Sequence, residues 1–176
     1  MALQWLSAAE WNAVIEDAKT GIQRVVRNIT AELMAAPPDG FRVEPVYIRP
    51  DGVFRHAREW CARHFYDGVS LPSDAPVEFR QGDIFLGLDL AAHLVPYLRD
   101  TYVRMRSKGV DVHFVVYDLL PLLRPDCFDE NGLPTFRLWY EAIAELADGI
   151  ICISRTVADE FKQWLGQAMP ARGRPL

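Results

Sequence analysis

The pattern of apolar residues changes from helical spacing near the start of the chain to short continuous runs further along. After a turn at Thr20 and Gly21, one stripe keeps the i, i+3, i+4, i+7 spacing of an amphipathic helix. The members of this stripe are Ile22, Val25, Val26, Ile29 and Leu33. Pro37, Pro38 and Gly40 predict the end of the helix.

The next segments predict a strand, a short helix and a loop. Residues 41–50, FRVEPVYIRP, predict a strand in which Pro45 marks an edge or a bulge. Residues 53–66, VFRHAREWCARHFY, predict a short helix. The composition of residues 67–76, DGVSLPSDAP, predicts a loop.

Three later segments share one pattern, in which a short apolar run bounded by glycine or charged residues ends in a polar side chain. They are GDIFLGLDL, ending at Asp89, VDVHFVVYDLLP, ending at Asp118, and DGIICISRT, ending at Ser154. Such runs are typical of strands that are buried on both faces of a parallel sheet.

Helical patterns separate and follow these runs. One helix is predicted from Pro96 to Lys108 and another from Pro134 to Ala147, each with proline where a first helical turn tolerates it. A last helix starts near Ser154 or Thr156 and continues through Leu165. The alternation predicts an α/β fold with a doubly wound, mostly parallel sheet and right-handed crossovers.

Composition narrows the functional classes. The chain has 176 residues, enough for one domain with a sizeable core, and its net charge of −5 does not predict a nucleic-acid-binding surface. Its three cysteines have no paired spacing, which indicates a reducing compartment and a cytoplasmic protein. The start has no signal-peptide pattern, and no apolar stretch reaches the roughly 20 residues of a transmembrane helix.

Polar residues follow the predicted strands at one edge of the sheet, where open α/β sheets bind their ligands. They are Asp89, Tyr117, Asp118, Ser154 and Arg155. Because the carboxyl ends of parallel strands share an edge, we expect these residues to converge on a ligand. This convergence is more informative than any one of the residues.

The turn at Thr20 and Gly21 belongs to the same predicted rim. Gly21 would let the backbone approach a ligand closely, and the amides of the following helix would favour an anionic group. Gln23 and Arg24 could add hydrogen-bond donors. The alternative is a turn that only starts a helix.

Asp118 has three interpretations. A carboxylate after a buried strand can orient a hydroxyl or accept its proton, or it can cap the next turn through its own backbone. The order strand, Asp, two apolar residues and Pro also resembles the phosphoacceptor of response-regulator receiver domains. That signalling fold needs an early acidic pair and a late lysine, and Ser154 and Arg155 follow the late strand here instead.

His56, Cys61 and His64 could be ligands of a metal ion. No fourth ligand is obvious nearby, and Cys61 fits the face of a helix. We therefore predict no metal site and no cofactor.

Taken together, TGIQRVVRNI, GDIFLGLDL, VVYDLLPLLRPDCF and ADGIICISRTVADEF resemble the bacterial family-4 retaining glycosyltransferases of the GT-B type, formerly group 1. These motifs occur in the order and spacing of that family over residues 18–166. The family has two Rossmann-like domains and serves polysaccharide and cell-envelope biosynthesis. The resemblance implies the amino-terminal, acceptor-side domain of an enzyme that transfers a sugar from a nucleotide-sugar donor to a glycan or lipid-linked acceptor.

The resemblance also implies roles for residues. Gly21 would lie in a glycine loop facing the donor, and Tyr117 and Asp118 would border the acceptor pocket. Many relatives carry histidine where this chain has Tyr117, which leaves Asp118 as the preferred catalytic group. Ser154 and Arg155 would lie where the last strand meets the cleft. Because relatives often act on lipid-linked acceptors, association with the inner face of the membrane is compatible with this interpretation.

Two departures from the family shape the expected organisation. Residues 1–17 predict an atypical segment in which the first strand is missing or degraded, with NAVIED as its stub. Residues 167–176 predict a linker toward a carboxy-terminal donor-binding domain that this sequence lacks. We therefore expect the isolated chain to be inactive. The alternative is a truncated, non-catalytic module that binds glycans or associates with another subunit.

Overall fold

A computed structural model describes residues 21–49, 51–66 and 73–169. The chain forms two compact units, one ending at Val77 and the other beginning at Glu78. The predicted first strand, Thr20, and residues 170–176 of the predicted linker lie outside the described residues. No boundary near Val77 was predicted from the sequence.

The first unit opens with the predicted amphipathic helix, α1 (Gly21–Ala35). A β-hairpin follows, in which β1 (Val46–Ile48) pairs antiparallel with β2 (Phe54–His56). Helix α2 (Arg58–Phe65) completes the described elements of this unit. The prediction of a helix over 53–66 was therefore wrong at its start, because residues 54–56 pair with β1 across a turn at Gly52, whose φ is 74°.

A side chain distant in sequence caps α2. The preceding residue, Ala57, has no side chain that could cap the helix. Instead, Asp74 Oδ1 accepts hydrogen bonds from the backbone amides of Arg58 at 2.9 Å and Glu59 at 3.1 Å. A carboxylate at this position satisfies amides that the helix itself cannot pair.

The second unit is built on a parallel sheet whose described strands lie in the order β3 (Ile84–Gly87), β4 (Asp111–Val116) and β5 (Gly149–Cys152). A 3₁₀ turn at Val95–Leu98 and helix α3 (Arg99–Ser107) connect β3 to β4. Helix α4 (Leu120–Leu123), a 3₁₀ turn at Pro125–Cys127 and helix α5 (Leu133–Leu146) connect β4 to β5. Helix α6 (Arg155–Ala168) follows β5. The arrangement is Rossmann-like, with a parallel sheet flanked by helices, as predicted.

The core of this unit lies between the sheet and its helices. The rings of Phe85 on β3, Tyr102 on α3 and Phe114 on β4 contact one another edge to face. Phe114 also covers Gly87, where an added Cβ would lie 2.5 Å from the phenyl ring. This close contact explains why glycine ends β3.

Burial differs between the central strand and its neighbours. Most of β4 is buried, and Val112 and Val116 are completely so. In contrast, Ile84 on β3 is 52% exposed and Ile151 on β5 is 49% exposed. The prediction of burial on both faces is thus correct for β4 and wrong for β3 and β5, since these two strands form the edges of the described sheet.

The helix boundaries follow local chemistry. The segment predicted from Pro96 to Lys108 begins as a 3₁₀ turn before the α-helix and ends at Gly109, whose φ is 80°. Ser154 Oγ accepts the amide of Val157 at 3.2 Å, so Ser154 rather than Thr156 caps α6. This helix extends into the first two residues of the predicted linker.

Candidate functional site at the carboxyl edge of the parallel sheet

Strand register brings the polar ends of the three strands to one edge. Gly87 of β3 pairs with Phe114 of β4, and Val116 of β4 pairs with Cys152 of β5. The residues that follow these positions leave the sheet at the same edge. They are Asp89, Tyr117, Asp118, Ser154 and Arg155, as the sequence predicted.

The loop after β3 is tied to the end of β4. Tyr117 is buried, and its hydroxyl donates a 2.8 Å hydrogen bond to the carbonyl oxygen of Leu88. The backbone then turns, because the amide of Ala91 donates to Asp89 O at 3.0 Å and the amide of Leu94 donates to Ala91 O at 3.0 Å. This turn carries Asp89 and His93, which interact electrostatically.

Desolvation has the largest effect on the pKa values of Asp89, His93 and Tyr117. Surrounding protein atoms raise the pKa of Asp89, although its side chain is exposed. The hydrogen bond from the amide of Leu90 and the charge of His93 both act in the opposite direction. Desolvation lowers the pKa of His93, and Asp89 opposes this change. Burial, followed by the charge of Asp89, raises the pKa of Tyr117 to about 12. Asp89 and His93 each favour the charged form of the other, whereas Asp89 disfavours the charged form of Tyr117. In all three groups, the removal of water has the larger effect on the pKa.

Asp118 makes two hydrogen bonds that stabilise the loop after β4. Its Oδ1 accepts the amide of Leu120 at 2.9 Å, and its backbone carbonyl accepts the hydroxyl of Tyr140 at 2.7 Å. Burial and then the charge of Asp118 raise the pKa of Tyr140. The prediction that Asp118 caps the next turn is therefore confirmed by this hydrogen bond. Its second carboxylate oxygen retains capacity to accept a hydrogen bond from a ligand.

The third strand end presents a capped helix. Ser154 uses its hydroxyl to cap α6, and Arg155 is the exposed first residue of that helix. An exposed guanidinium beside a helix amino terminus can attract an anionic group. The binding roles of both residues stay predictions.

The predicted glycine turn belongs to the first unit. Gly21 and Arg24 are exposed in the first turn of α1, and Gln23 is half-buried there. A Cβ added to Gly21 would contact no atom within 4 Å. These residues thus lie in the first described turn of α1. Because Thr20 lies outside the described residues, the predicted turn before the helix stays a prediction, as does the approach of these residues to a donor.

His56, Cys61 and His64 have separate local partners. His56 Nδ1 lies 3.4 Å from a carboxylate oxygen of Glu44, and His64 Nδ1 lies 2.9 Å from the carbonyl oxygen of Trp60. Cys61 is buried, and burial raises the pKa of its thiol to about 11. Across residues 21–49, 51–66 and 73–169, no group of three or more His, Cys, Asp or Glu side chains is arranged to hold a metal ion.

Sequence reasoning missed His93 and Tyr140. His93 follows Asp89 by four residues in DLAAH, a spacing that could have indicated a pair if the loop had been expected to turn. No sequence pattern indicated a role for Tyr140 at this edge, because its position on α5 predicts only packing in the core. Tyr140 acts through its hydrogen bond to the carbonyl of Asp118, and His93 through its electrostatic effect on Asp89. Sequence periodicity encodes neither of these effects.

The arrangement offers hydroxyl-binding chemistry. Two carboxylates and an imidazole lie on loops whose backbones are held by buried tyrosine hydroxyls. Carboxylates accept hydrogen bonds from hydroxyl groups, and an imidazole can donate or accept one. Such groups suit a polyhydroxylated ligand.

Three curated proteins from Escherichia coli, each named serotype-specific mannosyltransferase WbdA, are similar to this chain. Two are 40% identical to it, over 152 and 151 residues, and the third is 39% identical over 151 residues. Each match covers 86% of this chain but only 18% of the relative. The chain is thus homologous to a segment of glycosyltransferases. No protein-family profile and no solved structure matches the chain.

Within the described residues, none of the helices combines the length and the apolar character needed to cross a bilayer.

Proposed function

We propose that this chain forms the acceptor-side part of a family-4, GT-B glycosyltransferase. The complete enzyme transfers a sugar from a nucleotide-sugar donor to a glycan or lipid-linked acceptor during assembly of a cell-envelope polysaccharide. The names of the relatives support mannose as the transferred sugar. The proposal requires no cofactor other than the donor substrate itself.

The similarity to mannosyltransferases over 86% of the chain carries this proposal. The fold supports it independently, because ligands of open α/β sheets bind beyond the carboxyl ends of the strands. In this chain that edge carries Asp89, Asp118 and Arg155, each at the end of a different strand.

Asp118 is the proposed catalytic group. The amide of Leu120 fixes one carboxylate oxygen, and the hydroxyl of Tyr140 fixes the backbone. The second oxygen can then orient an acceptor hydroxyl and take its proton, as the hydroxyl oxygen forms the glycosidic bond and the bond between the sugar and the donor diphosphate breaks. Positioning of this kind lowers the activation barrier of sugar transfer, because the reacting groups lose less translational and rotational entropy on reaching the transition state.

Donor binding is proposed to need a second Rossmann-like domain. The chain spans 18% of the relatives' length, so these relatives hold much polypeptide outside the matched segment. In the complete enzyme, Thr20, Gly21, Gln23 and Arg24 would face the donor phosphates. Stabilisation of the leaving diphosphate is a large part of catalysis by such enzymes.

A comparison of this chain with the product of its full reading frame tests the proposal. Both proteins are incubated with a panel of nucleotide-sugars and manno-oligosaccharides, and mass spectrometry follows extension of the glycan. We expect extension by the full product alone and glycan binding by both proteins. Absence of both extension and binding would contradict the proposal.

The short span of the match favours a second candidate, a non-catalytic module that binds glycans or associates with another subunit. Glycan binding without transfer, even by the full product, would support it. Transfer of sugar by the purified chain alone would exclude it.

A further inference from the structure

We propose that Tyr140 is a positioning residue for sugar transfer, because its hydroxyl holds the backbone of Asp118 and thereby sets where the Asp118 carboxylate meets an acceptor hydroxyl. This inference rests on the proposed function. Tyr140 lies in the middle of α5, 22 residues away from Asp118 along the chain. Because only 2% of its surface is exposed, Tyr140 would act through Asp118 and not by contact with a substrate.

The hydroxyl of Tyr140 makes a short hydrogen bond to Asp118. It donates to the backbone carbonyl oxygen at 2.7 Å. Burial and then the charge of Asp118 raise the pKa of Tyr140, so the hydroxyl stays protonated and remains a donor at neutral pH. A hydrogen bond in such a shielded place is stronger than the same bond in water.

The position of this hydroxyl is set by the packing of two helices. The ring of Tyr140 contacts the rings of Trp139, with centroids 4.9 Å apart, and of Trp164 on α6, with centroids 5.9 Å apart. One turn further along α5, Ile143 and Ala144 are completely buried. Closely packed side chains of this kind have little freedom to move, so the ring presents its hydroxyl at a defined point.

The hydroxyl holds a peptide group whose other side is already anchored. Leu119 is completely buried, and its carbonyl accepts the amides of Leu122 and Leu123, both at 2.9 Å. Asp118 itself is half-buried, and its carbonyl belongs to the peptide that joins it to Leu119. Without the bond from Tyr140, this peptide could rotate and displace the carboxylate. A misplacement of about 1 Å can slow a reaction by about 100-fold.

Steady-state kinetics of Tyr140→Phe in the full product test this role, with the nucleotide-sugar and manno-oligosaccharide that the wild type uses. Phenylalanine keeps the ring and its packing but removes the donor to Asp118. We expect kcat to fall about tenfold and the KM for the glycan to stay unchanged, because positioning acts as the reaction proceeds. An unchanged kcat in the folded variant would overturn the inference.

A double-mutant cycle with Asp118→Asn tests whether Tyr140 acts through the carboxylate. Once Asp118 is asparagine, Tyr140→Phe should change kcat by less than about twofold, because the group that it positions is already absent. An equal fall in kcat in both backgrounds would contradict a positioning role and indicate a general effect on the structure.

Ile143→Val is the matched control for a loss of stability in the same helix. It removes one buried methyl group from α5 without touching Asp118, and such a change lowers stability modestly. We expect a fall in melting temperature similar to that of Tyr140→Phe, with kcat unchanged. If Ile143→Val lowers kcat as much as Tyr140→Phe does, α5 affects turnover only through its stability, and the inference is wrong.

The outcomes separate this inference from the proposed function. If the wild-type full product extends glycans and Tyr140→Phe does so equally fast, the role of Tyr140 is wrong and the proposed function stands. If the wild-type full product extends no glycan, the transferase function fails, and the role of Tyr140 fails with it.

Discussion

The loops after β3 and β4 each carry an aspartate at the same sheet edge, but they use it differently. Asp118 caps the following turn through Leu120, whereas Asp89 accepts one bond from the adjacent amide and has a pKa that neighbouring protein atoms raise. Asp118 therefore contributes to the fold as well as to the proposed chemistry. Asp89 is exposed and accessible to a ligand, and a shifted pKa of this kind is common for groups at functional sites.

The largest expected effect is that of Asp118→Asn on turnover by the full product. Asparagine keeps an oxygen that can accept the amide of Leu120, so the cap survives, but the negative charge is lost. We expect turnover to fall about 100-fold, within the range for positioned acid–base groups. Thermal melting of the same variant should be unchanged. Full activity in the folded variant would reduce Asp118 to a cap.

The variant Asp118→Ala tests how much the cap made by Asp118 contributes to stability. Alanine removes the acceptor for the Leu120 amide, and loss of such a cap typically costs about 1 kcal/mol. We expect the free energy of unfolding, measured in urea, to fall by about that amount relative to Asp118→Asn. Equal stability of the two variants would show that the cap contributes nothing.

The sequence predicted the sheet edge better than the contacts made there. Apolar runs fix where β3, β4 and β5 lie, and a parallel sheet then places their ends together without further information. The hydroxyl bonds of Tyr117 and Tyr140 depend on which atoms the folded chain brings within 3 Å, and no spacing in the sequence encodes that. The hairpin at residues 54–56 was missed for a similar reason, since pairing with β1 outweighed local helical preference.

Removal of the two tyrosine hydroxyls compares how firmly each loop is held. Tyr140→Phe and Tyr117→Phe each delete one buried hydrogen bond to a carbonyl oxygen while keeping the ring. We expect each to lower the free energy of unfolding by about 0.5–1 kcal/mol. Tyr117→Phe should also weaken glycan binding, because it loosens the loop of Asp89.

Tyr97→Phe is the control for these two variants, since Tyr97 is exposed on the 3₁₀ turn before α3. Its stability should match the wild type. If Tyr117→Phe lowers stability but leaves glycan binding unchanged, the loop after β3 does not depend on this bond for its function.

The smallest expected effect concerns the contribution of Asp89 to the pH dependence of stability. The pKa of Asp89 lies above its ordinary value of 3.8 in the folded protein, so the folded state binds this proton more tightly than the unfolded state. Stability therefore falls as pH rises from about 3.8 through the folded-state pKa.

Comparison of the variant His93→Asn with the double variant Asp89→Asn/His93→Asn measures the effect of this carboxyl in the absence of the imidazole. At pH 7 the double variant should be more stable by a few tenths of a kcal/mol, a small value because solvent screens the exposed group. The difference should vanish below the unfolded pKa. A double variant that is instead less stable at pH 7 would mean that Asp89, like Asp118, supports the fold, and the contrast between the two loops would disappear.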